Sequence, residues 1–179
     1  MKRELLAFLL LATLSVFGAE KELAAARLFY SATVNKTAIA IYIGDRPFDP
    51  SRHQTTPLRN TGTEQNPTWK AATIDGRVVV GTDQTLPEVG RPQLSQLYVQ
   101  FGDKRIDVPE RLLTHVFSPH LDRTIFDHRF AHNVVSISSD GRAVIISLGV
   151  GDGGAAASYS IYVGSDGTCT NEEPRRPEP

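Results

Sequence analysis

Four turn signatures, each set between runs of β-branched and aromatic residues, constrain this chain more than any other feature. They are Asn35-Lys36, Asp75-Gly76, Gly102-Asp103 and Asp140-Gly141. A two-residue hairpin connection needs positive φ at its centre, which Asn, Asp and Gly adopt at low cost. Each dipeptide therefore folds the chain back on itself. The flanking runs read as strands: 28–34 (LFYSATV) into 37–43 (TAIAIYI), 69–74 into 77–82, and 97–101 into 105–108. In the third, Leu97, Val99 and Phe101 fall on one face. The strongest hairpin runs from 134–139 into 142–150, where Val144, Ile146, Leu148 and Val150 share a face, and a last strand follows at 158–163. No interval holds a helix long enough for a parallel crossover. The expectation is an all-β fold, an antiparallel β-sandwich or barrel built of hairpins, after an N-terminal signal helix.

That signal is expected at residues 1–18. Lys2 and Arg3 open a short basic region, and Leu5 to Phe17 then runs without a charge. The run is shorter than the roughly 20 apolar residues of a membrane span and suits the apolar core of an export signal. Gly18 and Ala19 offer a cleavage point, with Val16 at the −3 position. Cleavage after Ala26 fits the small-residue rule through Ala24, but the charges of Glu20, Lys21 and Glu22 intervene. A membrane anchor or a buried helix would compete with this reading. The basic start and the abrupt polar boundary favour export, to a periplasm or outside the cell, with no membrane span after cleavage. The stretch EKELAAARLF that follows is rich in helix formers and suits one or two turns.

Composition narrows the function classes. Lys and Arg number 19 against 20 Asp and Glu, a net charge of −1, so there is no basic excess for nucleic acid. The lone Cys169 allows no internal disulfide and no cysteine zinc site. The expected organisation is one β-rich domain over 19–168 and a disordered tail over 169–179. The domain includes a long polar loop at 44–68, with prolines at 47, 50, 57 and 67. Loops of that length are usually functional or mobile.

Chemistry-bearing patterns are few. Gly149 to Gly154 spells the G-x-G-x-x-G of dinucleotide-binding turns, but no room follows for the helix and second strand that such a site needs. The pattern reads as a connection between strands, and no cofactor is expected. Four of the five histidines, His115, His120, His128 and His132, lie within 18 residues, interleaved with Asp122 and Asp127. Imidazole and carboxylate together suit a divalent transition metal, and His128 and His132 would share a face of a helical turn. His120, Asp122, His128 and His132 are thus a candidate metal set, for a carrier or a metal-dependent hydrolase. The spacing matches no H-E-x-x-H signature, and His115, beside Val116 and Phe117, reads as a packed core histidine. No G-x-S-x-G elbow occurs, and Ser118 and Ser136 near the histidines do not make a triad. Asp107 and Glu110 read as surface charges. Of Trp69, Tyr98, Tyr159 and Tyr162, only Trp69, beside Asn66-Pro67, is expected to be partly exposed.

The functional expectation is an exported protein that binds a protein, peptide or glycan through edge strands or the 44–68 loop, without catalysis of its own. The alternative is the metal-binding protein or hydrolase just described.

Overall fold

A computed structural model describes residues 26–118, 134–148 and 159–171. The chain there is built of antiparallel sheets with almost no helix, as the turn signatures require. The signal segment 1–18, the candidate ligands His120, Asp122, His128 and His132, and the glycine run 149–154 lie outside the described residues. No described helix is long and apolar enough to cross a membrane.

The first strand, β1 (Arg27–Val34), turns at Asn35-Lys36 into β2 (Thr37–Pro47). Both turn residues take the left-handed conformation, with φ of 47° and 68°. Five two-residue strands follow: β3 (Thr55–Thr56), β4 (Arg59–Asn60), β5 (Trp69–Lys70), β6 (Thr73–Ile74) and β7 (Arg77–Val78). Then come β8 (Pro92–Phe101) and β9 (Lys104–Asp107), and after them β10 (Val135–Ile137), β11 (Ala143–Leu148), β12 (Tyr159–Gly164) and β13 (Cys169–Thr170). Two four-stranded sheets result, in the orders β1-β2-β8-β9 and β10-β11-β12-β13. Each keeps two edge strands, so neither closes into a barrel.

Alternation decides which faces are buried. Ile39, Ile41 and Ile43 of β2 point inward with Leu97, Val99 and Phe101 of β8 and Ile106 of β9. Val144, Ile146 and Leu148 of β11 point inward with Ile161 and Val163 of β12. These two apolar faces belong to one core. Each fully buried aliphatic side chain contributes roughly 1.5–3 kcal/mol, so this shared core is what orders both sheets without a disulfide.

The Asp140-Gly141 turn is held by its own side chains. Ser138 Oγ donates to Asp140 Oδ1 at 2.6 Å, and the Arg142 amide donates to the same oxygen at 3.0 Å. These bonds hold the exposed Asp140 carboxyl below its usual range, the serine hydroxyl contributing most.

Four expectations need correction. The strand expected at 28–34 starts one residue earlier, at Arg27, and carries the buried Phe29 inward, while residues 20–25 lie outside the described residues. The polar segment 44–68 is not one open loop: the β2–β8 pairing runs on to Pro47↔Pro92, and β3, β4 and β5 form short ladders. The domain does not stop at residue 168, since Cys169 pairs with Val163 and Thr170 with Tyr162. Anticipated strands 69–74 and 77–82 shorten to the two pairs Thr73↔Val78 and Ile74↔Arg77 flanking Asp75-Gly76, because Trp69 and Lys70 pair with β4 and Val80 with Val116.

The excursion between β2 and β8 packs on a second small core of Phe48, Ala72, Ile74, Val79 and Phe117. Phe48 meets Phe117 edge-on, with ring centroids 5.1 Å apart. A parallel bridge between Val80 and Val116 ties it down. Gly81 makes that approach feasible: its φ is +85°, and a side chain there would run into the Phe117 carbonyl.

Candidate functional site

Where the excursion meets the end of β2, the chain leaves a cleft of about 320 Å³ lined by Arg46, Arg52, His53, Asp75, Arg77, Glu110, Arg111 and Thr114. Each element delivers its residue for a local reason. Arg46 is on β2 opposite Gln93 of β8. Arg52 ends a single helical turn, Pro50–Arg52, which Asp49 caps by accepting from the Ser51 amide at 3.0 Å. Asp75 occupies the tight β6–β7 turn at φ 51°, and Arg77 follows it. A second helical turn, Glu110–Leu112, supplies Glu110 and Arg111.

The floor of the cleft is a chain of hydrogen bonds whose directions can be assigned. Gln93 is fully buried. Its Oε1 accepts from Arg46 Nε at 3.2 Å, and its Nε2 donates to the Thr114 carbonyl at 2.5 Å. Arginine only donates and a carbonyl only accepts, so the amide orientation is fixed. The same Nε2 lies 3.3 Å from His53 Nε2, which must accept. His53 Nδ1 therefore carries the proton and donates to Asp75 Oδ2 at 2.8 Å. At the other end, Arg46 donates to Glu110 Oε1 at 2.8 Å.

Asp75 is further fixed by Gln54. The Gln54 amide donates to Asp75 Oδ1 at 3.0 Å, while the Asp75 amide donates to the Gln54 carbonyl at 2.8 Å. Burial pushes the Asp75 carboxyl up, but the bonds from His53 and the Gln54 amide outweigh it and hold it below the usual carboxylate range. His53 also stacks on Phe48, with centroids 5.7 Å apart, so the small core sets the ring plane.

The arrangement ties up the acid–base groups of the cleft in hydrogen bonds to one another. A general base needs a free lone pair within reach of the proton it removes. The His53 lone pair is engaged by Gln93, and the nearby Ser51 hydroxyl donates to Asp49 at 2.7 Å. What the cleft does offer is positive charge. Four guanidinium groups face two carboxylates, leaving an excess of two. Arg46 is paired with Glu110 and Asp75 with His53, whereas Arg52, Arg77 and Arg111 make no ion pair among the described residues. The Thr114 hydroxyl, buried in the wall, makes no hydrogen bond, though it lies near enough to favour the Asp75 carboxylate.

Behind the cleft, His115 is 2% exposed, and its Nδ1 has no partner. Its ring meets Tyr159 edge-on at 4.6 Å, and Tyr159 donates to the Leu112 carbonyl at 2.9 Å. Burial lowers His115 to about 4, helped by the charge of Arg77 and opposed by Asp75. Burial also raises Tyr159, against the pull of Arg77.

The other anticipated groups fall in separate places. His115 is a core histidine as expected, although its ring is not fully satisfied. Asp107 is exposed and paired with Arg105, whereas Glu110 turns out to line the cleft. Ser118 is buried and Ser136 exposed. Trp69 is 62% exposed. The four aromatic candidates are dispersed over three sheets: Trp69 in the β4–β5 ladder, Tyr98 in the first large sheet, and Tyr159 and Tyr162 in the second. Tyr98 is sandwiched between Tyr42, at 4.6 Å, and the Arg105 guanidinium, at 3.7 Å. Cys169 is half-buried, and burial raises its thiol above the usual range. Among the described residues no group of three His, Cys, Asp or Glu side chains could hold a metal.

Sequence reasoning missed His53, Asp75 and Gln93. Asp75 was legible only as a turn residue, and 22 positions separate it from His53. The one available signal was the run of arginines and a histidine within the proline-rich segment. Comparison of the chain with protein-family models, curated proteins and solved structures found no match.

Proposed function

We propose that the protein acts by binding, as an exported β-sandwich protein whose working site is the arginine-lined cleft under the 46–80 excursion. The observation that carries this reading is the cleft's chemistry: three guanidinium groups without an ion pair among the described residues, over a floor whose acid, histidine and amide are already paired with one another. Such a floor is rigid, so it presents charge to a ligand without reorganising. The shared core of the two large sheets supports the sandwich arrangement. The basic start and the charge-free run at 5–17 support export. The ligand is a protein, peptide or glycan that brings negative charge to the cleft.

The test is a binding panel of acidic and neutral peptides and glycans, run with the native chain and with a doubly reversed Arg52→Glu, Arg111→Glu variant. Both arginines are exposed, so the variant keeps the fold. Ligands retained by the native chain and lost by the variant support the reading. A panel with no retained ligand, or one that the variant retains equally, refutes it.

A further inference from the structure

The charge arithmetic of the cleft narrows the ligand further, and this step rests on the binding reading above. Arg46 is held by Glu110 and Gln93, so it is part of the wall rather than a free donor. Arg52, Arg77 and Arg111 come from three different elements and converge on one space. Each guanidinium presents several N–H donors in a planar fork suited to bidentate contact with an oxyanion. The carboxylates lining the cleft are occupied, Asp75 by His53 and Gln54, Glu110 by Arg46. Glu110 neutralises Arg46, whereas Asp75, held by a neutral imidazole, offsets one of the three arginines and leaves the excess of two. The charge is felt by its neighbours: Arg77, whose guanidinium lies within hydrogen-bonding reach of the Tyr159 hydroxyl, lowers both Tyr159 and His115, and Arg111 lowers Cys169. The whole chain carries a net charge of −1, so this local excess is not a reflection of overall composition.

We propose that the cleft is an oxyanion site, in which Arg52, Arg77 and Arg111 clasp a phosphate or sulfate group, free or esterified to a sugar, with the Thr114 hydroxyl as a further donor. An excess of two positive charges matches a tetrahedral dianion (free sulfate, phosphate or a phosphate monoester) better than a singly charged carboxylate or sulfate ester. Three converging forks also match the three outward oxygens of an ester group better than the two of a carboxylate. The volume is at the low end for ligand sites, enough for the group and the sugar ring that carries it rather than for an extended polymer.

The experiment is calorimetric titration of the full chain with inorganic phosphate, inorganic sulfate, a sugar phosphate monoester, a sulfated monosaccharide and acetate, in chloride-free buffer. Phosphate, sulfate or their sugar esters should bind, with acetate at least tenfold weaker. Arg52→Gln and Arg111→Gln should each weaken binding about tenfold, the size of one charge-assisted hydrogen bond, with thermal unfolding unchanged. Binding of the esters alone assigns the group to a carried ester, and equal binding of the free ions assigns it to the ion itself. Acetate binding as tightly as the oxyanions, or affinity indifferent to both substitutions, overturns the proposal. No binding of any oxyanion also overturns it. If the peptide and glycan panel still yields arginine-dependent ligands in that case, the binding reading stands and only the oxyanion assignment fails.

Discussion

Protonating the buried His115 should cost this fold stability as the pH falls below 6.5. The ring is 2% exposed, Nδ1 has no partner, and Arg77 repels an added proton, so folding lowers its pKa from 6.5 to about 4. In the unfolded chain the ring takes up a proton near its ordinary pKa, while the folded chain does not until about pH 4. The stability held by the neutral ring is therefore complete above pH 6.5 and is lost as the pH falls towards 4. Linkage over that shift gives a loss of about 2 kcal/mol by about pH 5 and about 3 kcal/mol by about pH 4. The depressed aspartates contribute at lower pH, since their stabilisation is lost only as the pH falls below the ordinary 3.8. The perturbation is His115→Phe, which keeps a ring against Tyr159 and removes the titration. The assay is urea unfolding at several pH values between 7 and 4.5 for both chains. Between pH 7 and about pH 5 the native chain should lose about 2 kcal/mol more than the variant. Parallel stability curves would refute the argument, because they would mean the folded ring accepts its proton without penalty.

Four further outcomes are expected. Gly81→Ala should destabilise by more than 2 kcal/mol in thermal or urea unfolding, since it places a Cβ against the Phe117 carbonyl at positive φ. Gln93→Leu should cost about 2–4 kcal/mol, because it strips Arg46 Nε, the Thr114 carbonyl and His53 Nε2 of one shared partner. Ile146→Ala should cost about 2–5 kcal/mol by opening a cavity where the two sheets meet. Elemental analysis after soaking with zinc, copper or nickel should find substoichiometric metal, unchanged by His128→Ala or His132→Ala. Stoichiometric metal lost in those variants would instead establish the His120, Asp122, His128 and His132 site.

The hairpins were legible because their information is local. Asn35-Lys36 and Asp75-Gly76 take the left-handed conformations their side chains tolerate, and the alternation in β2, β8 and β11 gives the buried faces directly. The short ladders of the excursion were not legible, because two-residue strands carry no periodicity. Trp69 looked like the start of a strand leading to Ile74, but its partner is Asn60. The start of β1 was legible to within one residue, the pairing of Arg27 with Ile43 adding one position to the expected strand. The cleft was the least legible feature. His53, Asp75, Gln93 and Glu110 come together only through the β2–β8 register and the packing of Phe48 on Phe117. Nothing in their spacing along the chain encodes that meeting.

The most direct test of the central claim is an NMR titration of the isotope-labelled full chain with inorganic phosphate, following arginine Nε–H and backbone amide signals. Saturable shifts confined to Arg52, Arg77, Arg111 and the Thr114 amide are the predicted result. Shifts scattered over the surface arginines, with those of the cleft no larger than that of Arg105, would contradict it.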